Sequence, residues 1–189
     1  MERGWCIFEK LKEAMDRAGC ACLSKPFYFL HVSIERQKIY HCCGSEILCT
    51  YPITTGKMPP CNLENSAGTP IGLHRICEKY GDGVLPGVVF IGRVSTGEHF
   101  SKYADWKSRN YVVTRILRLE GLEEGNNRGK NIGGISCDTW KRMIYIHGIA
   151  KDANIGRPTS GGCVGMLSGD IVELYEKVNR QILINIVLE

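Results

Sequence analysis

The chain is organised around the segment that begins Tyr145-Ile146-His147-Gly148 and ends Ser160-Gly161-Gly162-Cys163-Val164-Gly165-Met166. The apolar run over residues 142–146 predicts a short strand, with the histidine at its end. Residues 152–158, Asp-Ala-Asn-Ile-Gly-Arg-Pro, have the composition of an ordered loop. The two glycines before the cysteine permit a tight turn, because glycine tolerates positive φ and has no Cβ to block a ligand. The segment therefore joins an imidazole to a thiol across fifteen residues.

A cysteine beside a histidine suits nucleophilic catalysis. A free thiol titrates near ~8.5, so little thiolate is present at neutral pH. An imidazole that takes the proton lowers the thiol pKa to roughly 3.5–7.5, and we expect such an ion pair between His147 and Cys163. The backbone N–H groups of Gly162 and Cys163 are then the expected donors to the oxyanion of an acyl-transfer intermediate. The alternative is a buried structural thiol, since the chain contains ten cysteines.

The segment resembles the active-site motif of the L,D-transpeptidases, the YkuD-type family of bacterial cell-wall enzymes. That motif reads His-Gly, a loop, and then Ser-His-Gly-Cys-x-Arg. An apolar residue usually follows the arginine. The residues that match in order and spacing are His147, Gly148, Ser160, Gly162, Cys163 and Met166.

Two positions depart from the motif. Gly161 stands where the family usually has a second histidine, and Gly165 stands where it usually has arginine. The first change removes an imidazole that donates hydrogen bonds, and the second removes a cation that orients the turn or a substrate carboxylate. The nucleophile and the base are retained.

The resemblance implies the chemistry of the site. Cys163 attacks the third residue of a peptidoglycan tetrapeptide stem and expels the terminal D-alanine, and the amine of a neighbouring stem resolves the thioester into a 3-3 cross-link. His147 carries the protons, and the carbonyl of Gly148 fixes its imidazole. The turn around the nucleophile consists of Ser160, Gly161 and Gly162, and the candidates for binding the stem are Tyr145, Arg115 and Arg128. The expected partners are peptidoglycan stem peptides, and no cofactor or metal is required.

Three alternatives remain open. Water instead of an amine resolves the thioester in an L,D-carboxypeptidase or a cell-wall amidase. The two glycine substitutions are also compatible with a degenerate binding module. A papain-like protease is disfavoured, because the cysteine precedes the histidine in that family.

The likeness covers residues 27–189 and includes a Thr69-Pro70-Ile71-Gly72 turn before a strand. It implies a mostly β, β-sandwich-like catalytic fold with short peripheral α-helices. We expect an N-terminal helical segment over 1–25 and the catalytic domain over 26–189. Alternation and β-branched content predict strands, and apolar spacing predicts helices, the second of which has Asp170 as N-cap and Glu173 as its partner. The predicted strands span 27–34, 39–43, 47–53, 111–119 and 182–188, the predicted helices span 5–18 and 170–178, and 78–110 is an irregular lid or groove wall.

Composition excludes some classes of function. The net charge of +4 is spread along the chain without a basic run, which argues against nucleic-acid binding. The sequence contains no stretch of 18 apolar residues, so no membrane-spanning helix is predicted. The first 22 residues contain eight charged side chains and no apolar signal core. The resemblance implies the bacterial cell envelope (periplasm), whereas the chain itself also fits a cytoplasmic protein; nothing indicates an oligomeric state.

The many thiols are more typical of a reducing compartment than of a disulfide scaffold. His41, Cys42, Cys43 and Cys49 form a weak alternative metal cluster, with ordinary strand residues as the competing interpretation.

Overall fold

A computed structural model describes residues 4–20 and 26–189. Over these residues the chain is mostly β, with two peripheral helices, as predicted. The elements are α1 (Gly4–Arg17), β1 (Tyr28–Ser33), β2 (Lys38–Cys43), β3 (Glu46–Thr54), β4 (Gly72–Tyr80), β5 (Val88–Ile91), β6 (Val94–His99), β7 (Val112–Gly121), β8 (Tyr145–Ile149), β9 (Val164–Met166), α2 (Ser168–Lys177) and β10 (Leu183–Val187).

Eight of the strands form a closed ring in the order β4-β10-β1-β2-β3-β9-β8-β7, and the pairing of β4 with β7 closes it. The β5–β6 hairpin pairs with the start of β7, through Val89 of β5 and Val113 of β7. Within the ring, β1–β10 and β8–β9 are parallel, and the other pairs are antiparallel. A parallel pair needs a long crossover, and the connection from β8 to β9 is the loop predicted between His147 and Cys163.

Apolar side chains cover both faces of the central strands. On β1, Leu30 and Val32 join the main core, which α2 covers through Ile171 and Leu174. Phe29 points the other way and packs against α1, because successive side chains on a strand face opposite sides. The buried residues of α1 are Ile7, Leu11, Ala14 and Met15, which confirms the predicted amphipathic helix.

The predicted boundary between an N-terminal segment and the catalytic domain falls at residue 25, outside the described residues. It stays a prediction. What the structure shows is that α1 shares one apolar cluster with β1, β2 and β4, so the helix packs directly on the sheet.

Three local predictions are corrected. His147 lies in the middle of β8, because that strand continues to pair with β7 as far as Ile149. Residues 78–110 are not irregular throughout: they include the end of β4 and the β5–β6 hairpin, whose turn residues Gly92 and Arg93 have φ of 56° and 70°. Helix α2 begins at Ser168 with Leu167 as its N-cap, so Asp170 lies inside the first turn and does not cap it.

Candidate active site

The parallel pairing of β8 with β9 brings the predicted nucleophile and base to one pocket. His147 lies opposite Gly165 in this pairing. Cys163 lies directly before the first residue of β9, two residues before Gly165. Both Cys163 and His147 line one pocket of about 300 Å³, together with residues of the loop that joins the two strands.

The sulfur of Cys163 is held by backbone groups. The N–H of Tyr145 donates to Sγ at 3.4 Å, and Sγ lies 3.6 Å from the carbonyl oxygen of Met143. The residue packs against Phe90, Ile116 and Tyr145 but remains partly exposed. Burial raises the pKa of the Cys163 thiol to about 11, although the Tyr145 N–H and the positive charge of Arg142 act in the opposite direction. The raised pKa favours a protonated thiol at rest over the expected ion pair, which stays a prediction.

The imidazole of His147 is fixed by the residue that follows it. Its Nδ1 lies 2.9 Å from the carbonyl oxygen of Gly148, the contact that the resemblance implied. A carbonyl oxygen can only accept, so Nδ1 carries the proton and Nε2 presents its lone pair. Among the described residues, Nε2 has no hydrogen-bond partner. Burial lowers the pKa of His147, which keeps the ring neutral and able to take a proton at neutral pH.

The structure contains no hydrogen bond between this ring and Sγ among the described residues. Catalytic hydrogen bonds of unliganded sites often form only when substrate is bound.

Ser160 shapes the turn that carries the cysteine. Its Oγ donates to the carbonyl oxygen of Cys163 at 2.6 Å and accepts the N–H of Gly162 at 3.1 Å. The Gly162 N–H is therefore already engaged, contrary to its expected place in an oxyanion site. The Cys163 N–H has no acceptor within residues 4–20 and 26–189 and remains available. Backbone bonds between Ser160 and residues 55 and 57 anchor the turn to the end of β3.

The two departures from the motif have different surroundings. A Cβ built on Gly161 meets no atom within 4 Å, so the place of the missing histidine is open space. A Cβ on Gly165 would lie only 2.6 Å from a methyl carbon of Ile149 and 2.6 Å from one of Thr54. Gly162 has a φ of 123°, a conformation that favours glycine.

The predicted substrate-binding residues do not line the pocket. The hydroxyl of Tyr145 accepts a hydrogen bond from Arg93 on the hairpin, at 3.0 Å. Arg115 is buried, and its guanidinium donates to the carbonyl oxygens of Val84 and Thr114. Arg128 is exposed beside Glu124, 3.7 Å away. The cations that do line the pocket are Arg109, Arg142 and Lys151.

Sequence reasoning missed all three of these pocket cations. The available signal was position alone: Arg142 lies three residues before the first residue of β8, and Lys151 lies two residues after its last. Charge at the ends of an active-site strand is too common to single out a functional residue.

Other candidate sites are not supported. No group of three or more His, Cys, Asp or Glu side chains is placed to hold a metal within the described residues, and those residues include His41, Cys42, Cys43 and Cys49. The nine cysteines that the structure describes are all free thiols, and Cys22 lies outside the described residues. No described helix has the length and apolar character needed to cross a lipid bilayer.

Cys163, directly before β9, and His147, on the adjacent strand β8, line one pocket of the closed β-ring, and a thiol beside an imidazole is the composition of an acyl-transfer site. The family model for YkuD, the L,D-transpeptidase catalytic domain, matches residues 28–186. The chain belongs to this family. A comparison with curated protein sequences finds no match.

Solved structures agree on the fold. An L,D-transpeptidase from Mycobacterium smegmatis matches with a TM-score of 0.50 and 15% identity, over 85% of this chain and 58% of that one. L,D-transpeptidase 3 from Mycobacterium tuberculosis, in complex with a faropenem-derived adduct, matches with a TM-score of 0.50 and 14% identity, over 87% of this chain and 61% of that one. The chain thus spans about three fifths of the length of these structures, and at this identity the likeness shows the fold alone.

Proposed function

We propose that this protein is a cysteine-dependent L,D-transpeptidase that forms 3-3 cross-links between peptidoglycan stem peptides in the bacterial cell envelope. The observation that carries the proposal is the geometry of the pair. Cys163 and His147 open into one pocket, and the Gly148 carbonyl fixes the ring so that the free lone pair is on Nε2. The family supplies the substrate class, and the pair supplies the chemistry.

The first half-reaction acylates the cysteine. Sγ attacks the carbonyl carbon of the third stem residue while Nε2 of His147 takes the thiol proton. The oxyanion forms near the Cys163 N–H, which has no other acceptor among the described residues. The intermediate collapses when the C–N bond to the terminal D-alanine breaks and the imidazolium returns its proton to the departing amine. A thioester and a free D-alanine are the products.

The second half-reaction runs through the same groups. The amine of a neighbouring stem loses a proton to His147 and attacks the thioester carbonyl, and the departing sulfur receives that proton. The Gly148 carbonyl orients the ring throughout, as a third member does in other catalytic triads.

Proton transfer accompanies the attack and does not precede it. Burial raises the thiol pKa to about 11 and lowers the imidazole pKa, so each group disfavours its charged form and a separated ion pair is unfavourable before the attack. The developing imidazolium is instead offset by the new S–C bond. This differs from cysteine enzymes that rest as a thiolate–imidazolium pair.

The closest competitor is an L,D-carboxypeptidase in which water resolves the same thioester. It uses the same pair and leaves a trimmed stem instead of a dimer. A binding module without turnover is the second competitor, because Gly161 and Gly165 depart from the motif.

Incubation with purified disaccharide-tetrapeptides, followed by mass spectrometry, separates these possibilities. The proposal expects cross-linked dimers and released D-alanine from the wild type, and neither from Cys163→Ala. Cys77→Ala is the matched control, since Cys77 is a free thiol of β4 whose Sγ donates to the Arg118 carbonyl, away from the pocket. Trimmed stems alone would favour the carboxypeptidase. Dimers formed equally by Cys163→Ala would refute the mechanism.

A further inference from the structure

Arg142 lines the pocket of the nucleophile and also bonds to a segment more than seventy residues earlier in the sequence. It lies three residues before the start of β8 and lines the same pocket as Cys163. Its Nη1 donates to the carbonyl oxygen of Cys61 at 2.9 Å. Its Nη2 donates to the carbonyl oxygen of Gly68 at 2.8 Å and to Ser66 Oγ at 3.2 Å. One guanidinium therefore closes the loop formed by residues 61–68.

The loop of residues 61–68 lies beside the turn that carries Cys163. The Gly68 carbonyl oxygen lies 3.1 Å from the position that a Cβ on Gly162 would occupy. The same oxygen accepts from Arg142. The guanidinium therefore holds a carbonyl that faces Gly162, the residue directly before Cys163.

Within the described residues no carboxylate is bonded to Arg142, although the charge of Glu64 acts on it from the same 61–68 loop. In the part of the chain that the structure describes, it forms no ion pair with Asp or Glu, and its hydrogen-bond acceptors are two backbone carbonyls and a hydroxyl. A carbonyl dipole satisfies the N–H groups but leaves the net positive charge in place. The Cys163 sulfur is among the groups close enough to feel it.

The position of the motif arginine is closed in this chain. The methyl groups of Ile149 and Thr54 occupy the space into which a side chain at Gly165 would project. Three cations line the pocket from other positions, Arg109, Arg142 and Lys151, and Arg142 is the one whose charge acts on the Cys163 thiol.

We propose that Arg142 is a positioning residue of this site: it clamps residues 61–68 onto the nucleophile turn and supplies the positive charge that position 165 lacks. Its catalytic meaning rests on the proposed function, but its effect on the thiol is a property of the resting protein. Negative charge develops on Sγ as the proton leaves and again when the thioester breaks, and a fixed cation stabilises both stages.

The test measures the rate at which iodoacetamide alkylates Cys163 as a function of pH, by quantifying the modified peptide in folded protein. Arg142→Gln keeps a hydrogen-bond donor and removes the charge. We expect Cys163 to react about tenfold more slowly at a fixed pH below the thiol pKa, which corresponds to about one pKa unit. Arg142→Lys keeps the charge, and we expect its profile within threefold of wild type. Lys141→Gln removes a neighbouring exposed cation that does not line the pocket and serves as the control, with no change expected.

Turnover of stem peptides adds a second measurement. A positioning role predicts a lower kcat for Arg142→Gln with partial rescue by Arg142→Lys. An unchanged alkylation profile in Arg142→Gln would overturn the proposal, and so would a change confined to KM, which would indicate a substrate-binding residue. If Arg142→Gln fails to fold, a Lys variant whose alkylation slows tenfold would refute the role of charge. Alkylation needs no stem peptide, so a shifted profile without turnover would retain this inference and reject the proposed function.

Discussion

Restoring the arginine of the family motif should destabilise this protein. In Gly165→Arg the first new atom, Cβ, would lie 2.6 Å from methyl carbons of both Ile149 and Thr54. Real Cβ atoms do not approach carbon so closely, so β8 or the end of β3 must move. Overpacking of this kind costs typically about 1–3 kcal/mol. Gly165 is also paired with His147 across the parallel ladder, so the displacement reaches the proposed base.

The other departure from the motif provides a matched comparison. Gly161 is exposed, and a Cβ there meets no atom within 4 Å. Gly161→His therefore adds a larger side chain at almost no steric cost, and we expect a change in unfolding free energy within about 0.5 kcal/mol. The two variants restore one motif residue each and differ in what surrounds the glycine.

Chemical denaturation of both variants and the wild type decides the question. We expect Gly165→Arg to have the lowest free energy of unfolding of the three proteins. In a parallel thermal melt, its Tm should fall by about 2–4 °C for each kcal/mol of stability lost. If Gly165→Arg matched the wild type within 0.5 kcal/mol, the close packing of Ile149 and Thr54 over Gly165 would be refuted. Space for the motif arginine would then exist at position 165, and no cation from another position would be required.

Three further outcomes are expected. Ser160→Ala should lose two hydrogen bonds of the nucleophile turn, which lowers the free energy of unfolding by about 1 kcal/mol. Paired kinetic and denaturation measurements should show stem-peptide turnover falling by more than this loss of stability explains. Turnover that falls only in proportion to unfolding would contradict this. Burial lowers the pKa of His31 and of His74 to about 4, so the unfolded chain binds more protons between pH 6.5 and 4, and stability should fall by about 3 kcal/mol per histidine as the pH drops through that range. Denaturation at several pH values checks the sign, since a flat or rising stability on acidification would exclude neutral buried rings. Arg93→Ala removes the hairpin's hydrogen bond to the Tyr145 hydroxyl. Hydrogen exchange across β5 and β6 should become faster, with little change in the global free energy of unfolding. Exchange at the wild-type rate would show that other contacts hold the hairpin and would contradict the prediction.

Periodicity predicted most of the scaffold because the scaffold is governed by burial. Strands β1 and β10 and helices α1 and α2 carry apolar residues in the pattern that their buried faces require. The hairpin was missed because its strands are short and Val94 and Ile91 are exposed, so no alternation distinguishes them from a loop. The middle position of His147 was missed because glycine at 148 suggests an end, whereas pairing on both sides extends the strand.

The site divides in the same way. Motif spacing identified Cys163 and His147, since a family motif is local in sequence. The contact of Arg142 with residues 61–68 joins positions more than seventy residues apart, and no local pattern records it. The failure of Gly162 as a free donor depends on a hydroxyl two residues away, which adopts its role only in the folded turn.

Burial is what separates this pair from a thiolate–imidazolium pair. It raises the thiol pKa to about 11 and lowers the imidazole pKa, so both groups rest neutral. A neutral thiol is a poor target for adventitious electrophiles in solvent, because only the thiolate reacts rapidly. Reactivity must then be supplied by what arrives with the substrate: a carbonyl placed against Sγ, an oxyanion near the Cys163 N–H and a fixed charge on Arg142. On this reasoning the surroundings of the pair, more than the pair itself, determine whether this chain turns over stem peptides.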